Sequence, residues 1–194
     1  MGRLRGRDLR NEGSGNIGAT NAFRVLGPRW GMVVFALDFL KGWAPIWWLD
    51  GSASFHIAWG EVGSVDAGLL VCGLFVVLGH NYTPFLGFRG GKGIASSAGL
   101  LLALLPTAFL ITALVWGLVF AVVRIVSVAS LSAAVVLPFA AWATVPDRPL
   151  LIGLCSLLAV ISFWRHRSNL VRLWNGTEPS FGKRKDATIE KEVS

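Results

Sequence analysis

The chain has 194 residues, of which 54% are hydrophobic and only 15% charged, and its mean hydropathy is +0.60. Soluble domains carry about 25% charged residues, so this composition argues against an ordinary soluble domain and points to a bilayer. The net charge of +7 is unevenly spread. No charge falls in the 31 positions between Lys92 and Arg124, a run longer than the ~20 residues a helix needs to cross a membrane.

In chain order, a polar, basic segment at 1–30 comes first and has no signal-peptide pattern. Apolar stretches follow at 31–49, 66–85, 93–105, 107–123, 127–145 and 150–164. Lipid tolerates no unsatisfied backbone, and the apolarity is continuous rather than alternating, so these segments are expected to be helices and not barrel strands. Trp30, Trp47, Trp48, Trp142 and Trp164 fall near segment ends, as interfacial anchors do. Asp38 and Lys41, three apart inside the first span, are expected to pair and so offset their burial. Cys72 and Cys155 read as small core residues, and His56, His80 and His166 lack metal-ligand spacing. No metal is expected. Residues 1–182 read as a single membrane-embedded domain, and the charged tail at 183–194 as disordered.

The long run at 93–123 reads either as one tilted span or as two short helices broken near Pro106. A single crossing would divide the basic residues evenly between the two faces. Two crossings place sixteen of the eighteen on one side, all but Lys41 and Arg148. The positive-inside rule favours two crossings, with that side cytoplasmic. The segments 1–30, 80–92, 124–130 and 165–191 then share one face. They are also the segments richest in Gly, Asn, Ser, His and Arg.

Three constellations lie on that face. The first is Gly13-Ser14-Gly15-Asn16-Ile17-Gly18-Ala19-Thr20-Asn21-Ala22-Phe23-Arg24. Its glycines permit close backbone approach to a ligand, Ser14 and Asn16 offer short polar groups, and Arg24 offers a fork suited to phosphate. Equally, Ser14 reads as a helix N-cap and Arg24 as a lipid-headgroup contact. The second is Gly87-Phe88-Arg89-Gly90-Gly91-Lys92-Gly93, opening onto an apolar helix. Helix-start amides, glycines and a lysine make an anion cradle. It is no nucleotide P-loop, because Leu86 and Gly93 stand where that pattern needs Gly and Ser/Thr. The third is Arg165-His166-Arg167-Ser168-Asn169, followed by Gly176-Thr177-Glu178-Pro179. On one helix, His166 and Asn169 would share a face, although a basic helix at a lipid surface explains this segment as well. Arg124, Ser127 and Ser130 open the fifth span facing the same pole.

Together, GSGNIGATNAFR, HNYTPFLGFRGGKGIASSAG and RHRSNLVRLWNGTEP resemble the three signature motifs of the bacterial acyl-phosphate:glycerol-3-phosphate acyltransferases, the PlsY family. DFLKG at 38–42 and RIVSVAS at 124–130 also match, and the resemblance runs from about Arg7 to Phe181. It implies an all-α polytopic membrane helix bundle in the bacterial inner membrane. The implied activity moves a fatty acyl group from acyl phosphate to the 1-hydroxyl of glycerol 3-phosphate, giving lysophosphatidic acid and phosphate for phospholipid biosynthesis. The implied partners are those two substrates and membrane lipid, with no nucleic acid and no cofactor.

Carried over motif by motif, Ser14 and Arg24 match key polar positions of the first motif, with Asn16 and Thr20 beside them for substrate. Lys92, with Gly90, Gly91 and Gly93, matches the phosphate-binding loop, and Ser130 a polar position of the Arg124 segment. His166 and Asn169 match active residues of the third motif, and Glu178 its structural carboxylate. The hydroxyl proton goes either to His166 or to a substrate phosphate. Two departures stand out. The family has a further membrane helix before the first motif, giving seven spans where six are expected here, so the loop at 13–21 would have one anchor rather than two. Thr83-Pro84 also places its proline one position late. The rival reading, a transporter of an organic phosphate, would want polar groups at midspan, where this sequence has almost none.

Overall fold

The computed structural model describes residues 6–50 and 67–181. His56 and the tail at 183–194 therefore lie outside the described residues. Among those described, the regular structure is helical: α1 (Ala19–Leu26), α2 (Pro28–Asp50), α3 (Ala67–Asn81), a 3-10 turn at Pro84–Leu86, α4 (Ile94–Leu104), α5 (Pro106–Val123), α6 (Val126–Thr144), α7 (Pro149–Arg165) and α8 (Arg167–Trp174). Each of the six apolar stretches forms one helix.

Four of these helices, α2, α3 (extended through its 3-10 turn), α5 and α6, are long and apolar enough to cross a membrane. The fifth, α7, joins α8 across a bend of 56°. At eleven residues α4 is the short one, about 16 Å long at 1.5 Å per residue. It lies in the middle, with Leu100, Leu101, Ala103 and Leu104 all buried. Outward faces are apolar instead: Phe75, Leu114, Val122, Phe139 and Val160 are exposed, as a lipid-facing surface requires. The tryptophans Trp48, Trp142 and Trp164 are exposed near helix ends.

The break between α4 and α5 falls at Leu105, whose φ −143° and ψ 65° lie outside the helical region. Pro106 explains it, since a proline disfavours helical geometry in the residue before it and lacks the N–H that would continue the ladder. The start of α4 and the end of α5 then lie at the same end of the bundle. Lys92 reaches Asn169, Asn169 reaches Glu178, and the backbone N–H of Phe181 donates to Arg124 O at 2.6 Å. The run at 93–123 is thus a hairpin of two antiparallel helices, the arrangement that charge asymmetry favoured.

Helices in lipid gain nothing from hiding apolar surface from one another, so close contact between small residues holds them together. At the crossing of α2 and α4 this is carried to its limit. A Cβ on Gly42 would stand 2.0 Å from Ser96 O, and one on Gly99 would stand 2.0 Å from Phe39 O. Each helix therefore needs glycine where it meets the other's backbone. Gly117 of α5 faces open space. Gly99→Ala should cost about 1–3 kcal/mol or more through overpacking, whereas Gly117→Ala should be neutral or mildly stabilising. Thermal unfolding of the two variants in detergent checks this, and equal melting temperatures would contradict the glycine crossing.

Candidate active site

At the end of the bundle where the loops gather, a cavity of about 550 Å³ opens among α1, α2, α4, α5, α6 and the α7–α8 bend. Ser14, Asn16, Thr20, Arg24, Lys92, Gly93, Ser130, His166, Asn169 and Glu178 all line it. Of the site residues carried over from the motifs, Gly90 and Gly91 stand back from its wall.

The first motif does not cap a helix with Ser14. Helix α1 starts at Ala19 with Gly18 as its N-cap, and the preceding residues form a loop wrapped around the buried side chain of Asn21. That amide donates to Leu9 O at 2.9 Å and Glu12 O at 3.0 Å, and its oxygen accepts the Ser14 N–H at 2.8 Å. Gly13 has a left-handed φ of +61°, and a Cβ there would run into Asn21 Oδ1. Asn16 Oδ1 accepts the Gly18 N–H at 2.8 Å, fixing the chain's entry into α1. Arg24 stands at the cavity mouth, where its guanidinium donates to Pro179 O at 3.3 Å.

The second motif is held from two sides. The N–H groups of Gly90 and Gly91 donate to Asn81 O at 3.2 Å and His80 O at 3.1 Å. Their carbonyls accept three hydrogen bonds from Arg165, between 2.7 and 3.0 Å. The Arg165 guanidinium also lies 5.0 Å from the Tyr82 ring centroid. A Cβ on Gly90 would meet His80 O, and one on Gly91 the His80 ring. These two glycines therefore shape the loop without reaching the cavity themselves. Gly93 takes φ +80° and leads directly into α4, and Gly93, Ile94 and Ala95 at the start of that helix line the cavity. The first amides of a helix have no intrahelical partner and favour anions.

The third motif departs from the single-helix expectation. The helix breaks at His166, so His166 occupies the junction and Asn169 the first turn of α8. Both still reach the cavity. Asn169 accepts a hydrogen bond from Lys92 Nζ through Oδ1 and donates through Nδ2 to Glu178 Oε1 at 2.6 Å. Glu178 also accepts from Ser127 Oγ at 2.7 Å and from Arg172 Nε at 2.7 Å. Ser130 accepts from Trp116 Nε1 at 3.1 Å, which turns its own O–H toward other acceptors.

Electrostatics follow from this crowding. Burial pushes Lys92 down to about 8, and Arg172, Arg24 and Arg165 push the same way, while Glu178 opposes them. Arg24 is likewise lowered, chiefly by desolvation. Burial works to raise Glu178, but hydrogen bonds from Ser127, Asn169 and Arg172 outweigh it and hold the carboxylate below its usual range. His166 is pushed down to about 4 by burial and then by Lys92. Its Nδ1 lies 2.8 Å from Ser162 O. A carbonyl only accepts, so Nδ1 carries the proton and Nε2 keeps its lone pair.

Sequence reading did not anticipate Asn21, Trp116 or Arg165 as parts of this architecture. It also left out His80, which joins the expected Asp38–Lys41 pair. Lys41 Nζ lies 2.5 Å from Asp38 Oδ1 and contacts His80 Nδ1. Among the described residues, no group of three or more His, Cys, Asp or Glu side chains gathers as a metal site would.

The family profile for glycerol-3-phosphate acyltransferase matches residues 1–176. The chain belongs to the glycerol-3-phosphate acyltransferase family. The family member from Aquifex aeolicus is 41% identical over 183 residues, covering 93% of this chain and 89% of its own. That from Hyphomonas neptunium is 43% identical over 182 residues, covering 93% and 83%. The fold also matches crystal structures of PlsY (YgiH), an integral membrane glycerol 3-phosphate acyltransferase. Its glycerol 3-phosphate form has TM-score 0.79 and 39% identity, covering 93% of this chain and 86% of that one. Its lysophosphatidic acid form has TM-score 0.79 and 38% identity, covering 93% and 85%. As in those relatives, the bundle is that of a multi-pass membrane protein.

In this acyltransferase the Glu178 network is itself testable. Glu178→Ala leaves the buried donors of Ser127 and Asn169 without their acceptor, at about 1–3 kcal/mol each. It should lower the melting temperature and abolish activity together, with Glu178→Gln retaining part of both. An unchanged melting temperature for Glu178→Ala would contradict the network.

Proposed function

We propose that this protein transfers a fatty acyl group from acyl phosphate to the 1-hydroxyl of glycerol 3-phosphate, releasing lysophosphatidic acid and inorganic phosphate. One observation carries the reading. At the polar end Arg24 and Lys92, with Arg165 and Arg172 close behind, face the carboxylate of Glu178, while Asp38 is paired with Lys41 and most of the remaining wall is apolar. Two phosphorylated substrates, one with a hydrocarbon tail, match that division. The loops and the C-terminal segment lie on the cytoplasmic side of the bacterial inner membrane by the positive-inside argument.

Lys92 spends one of its three N–H donors on Asn169 and turns the rest, with the α4 amides, to the phosphate of the acyl donor. Arg24, Ser14, Asn16 and Thr20 hold glycerol 3-phosphate, and the Ser130 O–H is available to the acyl carbonyl. The glycerol oxygen attacks the acyl carbon, the bond from that carbon to the phosphate oxygen breaks, and phosphate leaves with the electron pair. Catalysis is then mainly positioning and charge stabilisation.

The hydroxyl proton goes to phosphate rather than to His166. Burial pushes His166 down to about 4, whereas a free phosphate monoester has a second pKa of about 6, which supports phosphate as the acceptor. His166 Nε2 instead accepts a hydrogen bond that aims the hydroxyl.

Purified protein supplied with glycerol 3-phosphate and palmitoyl phosphate should release phosphate and form lysophosphatidic acid. Uptake of glycerol 3-phosphate into vesicles without acylation would instead support a transporter. Lys92→Ala should remove nearly all turnover, and full activity would reject its role.

The pH dependence has a definite sign. Lys92 is an ammonium below about 8 and loses its proton above that. Because kcat/KM reports the free enzyme, it should fall about tenfold per pH unit above that point. Any turnover left in Lys92→Arg should lack this limb, since a guanidinium keeps its proton. A limb unchanged by that substitution would assign it to another group.

A further inference from the structure

The hydrogen bonds that hold Gly90 and Gly91 run to their amides from α3 and to their carbonyls from Arg165. They act along the peptide planes and do not touch the Cα face of Gly91. At that face stands the ring of His80. A Cβ built on Gly91 would lie 1.9 Å from His80 Nε2, and its three nearest atoms all belong to that ring. The ring therefore meets the loop where glycine leaves room for it, one residue before Lys92. Neighbouring Cα atoms are about 3.8 Å apart across a rigid peptide, so a shift of Gly91 is passed on to Lys92.

His80 is itself braced from α2. Its Nδ1 contacts Lys41 Nζ, and that ammonium also donates to Asp38 Oδ1 at 2.5 Å. An ammonium only donates, so Nδ1 accepts and the ring is uncharged. Asp38 Oδ1 lies 3.4 Å from the same Nδ1, so carboxylate and imidazole converge on one cation. The charges of Asp38 and Lys41 cancel, and the cluster adds no net charge to the cavity that Asp38 and His80 line. Its use is therefore mechanical. The brace also has something to oppose, because His80 borders a second hollow with Val76, Gly79, Thr83 and Phe85. Freed of Lys41, the ring has that space to turn into.

We propose that His80, braced by Asp38 and Lys41, is a positioning residue that seats Gly91 and so sets where the Lys92 ammonium stands in the active site. This inference rests on the acyl-phosphate reading above, in which Lys92 binds phosphate. It adds a group that acts on the reaction through Lys92.

The test measures kcat/KM with palmitoyl phosphate and glycerol 3-phosphate across pH, together with the melting temperature of each variant. His80→Ala should lower kcat/KM about tenfold or more, since a 1 Å misplacement costs on the order of a hundredfold. Gly91→Ala alone drives a methyl into the ring and should do similar harm. In the double variant that space is free, so the loss should equal that of His80→Ala alone. Losses that multiply, as they do for independent sites, would overturn the seat.

The alkaline limb supplies a readout that weaker folding does not move. Burial pushes Lys92 down to about 8, with Arg172, Arg24 and Arg165 adding to it and Glu178 opposing, and none of these groups is altered. A loop off its seat lets Lys92 toward water, so the limb should move to higher pH in His80→Ala. Asp38→Asn combined with Lys41→Met removes both charges of the brace, leaves neither unpaired, and should move the limb the same way with the ring still present. A limb that keeps its place in every variant that folds would overturn the proposal while leaving the acyltransferase reading intact. Absence of turnover in the unaltered protein would overturn that reading, and the catalytic use of the seat with it.

Discussion

Three segments far apart in the sequence meet at the carboxylate of Glu178. Ser127 brings in the start of α6, Asn169 and Arg172 bring in α8, and through Asn169 the ammonium of Lys92 brings in the loop before α4. Breaking a half-buried network of this kind is costly, because each donor left behind loses both its partner and its water. The carboxylate also sits within a surplus of cations. Left unopposed, Arg24, Lys92, Arg165 and Arg172 would repel one another in a medium that screens poorly. Glu178 offsets part of that repulsion, and phosphate groups are suited to offset the rest. Structural glue and substrate affinity thus draw on the same charges.

The polar end stays accurate because its loops are fastened by backbone as well as side chains. Asn21 holds the first loop by three bonds to main-chain atoms. The second loop has its carbonyls held by Arg165 and its amides held by the end of α3. Glycines at 13, 90 and 91 are required for close approach, since a Cβ at each would meet a neighbour at 2.2 Å or less. The polar side chains of the site therefore project from loops with few alternative arrangements.

Much of this was legible before any coordinates. Continuous apolarity located the six apolar helices, and the distribution of eighteen basic residues distinguished a hairpin at Pro106 from a single long span. Lys92 was readable from its glycine loop at the head of an apolar helix, whereas the roles of Asn169 and Glu178 came from the resemblance of their segment to the family's third motif. Other features left no trace in spacing. Trp116 reads as one more lipid-facing aromatic until its indole N–H is seen on Ser130. The break at His166 has no proline or glycine to announce it. Nor does apolar periodicity distinguish side chains that face lipid from those that line the cavity, since both are apolar. Cross-chain pairings such as Arg165 with Gly90 and Gly91 span more than seventy residues and are properties of the packing alone.

The glycine crossing of α2 and α4 has one further consequence. At Gly42 and Gly99 the two backbones touch with no side chain between them, so neither helix slides past the other without collision. The first motif is tied to the near end of α2 through α1, and the glycine loop at 87–93 to the near end of α4. The gap between Arg24 and Lys92 is thus fixed like the jaws of a locked caliper, by rigid rods pinned some way down the bundle.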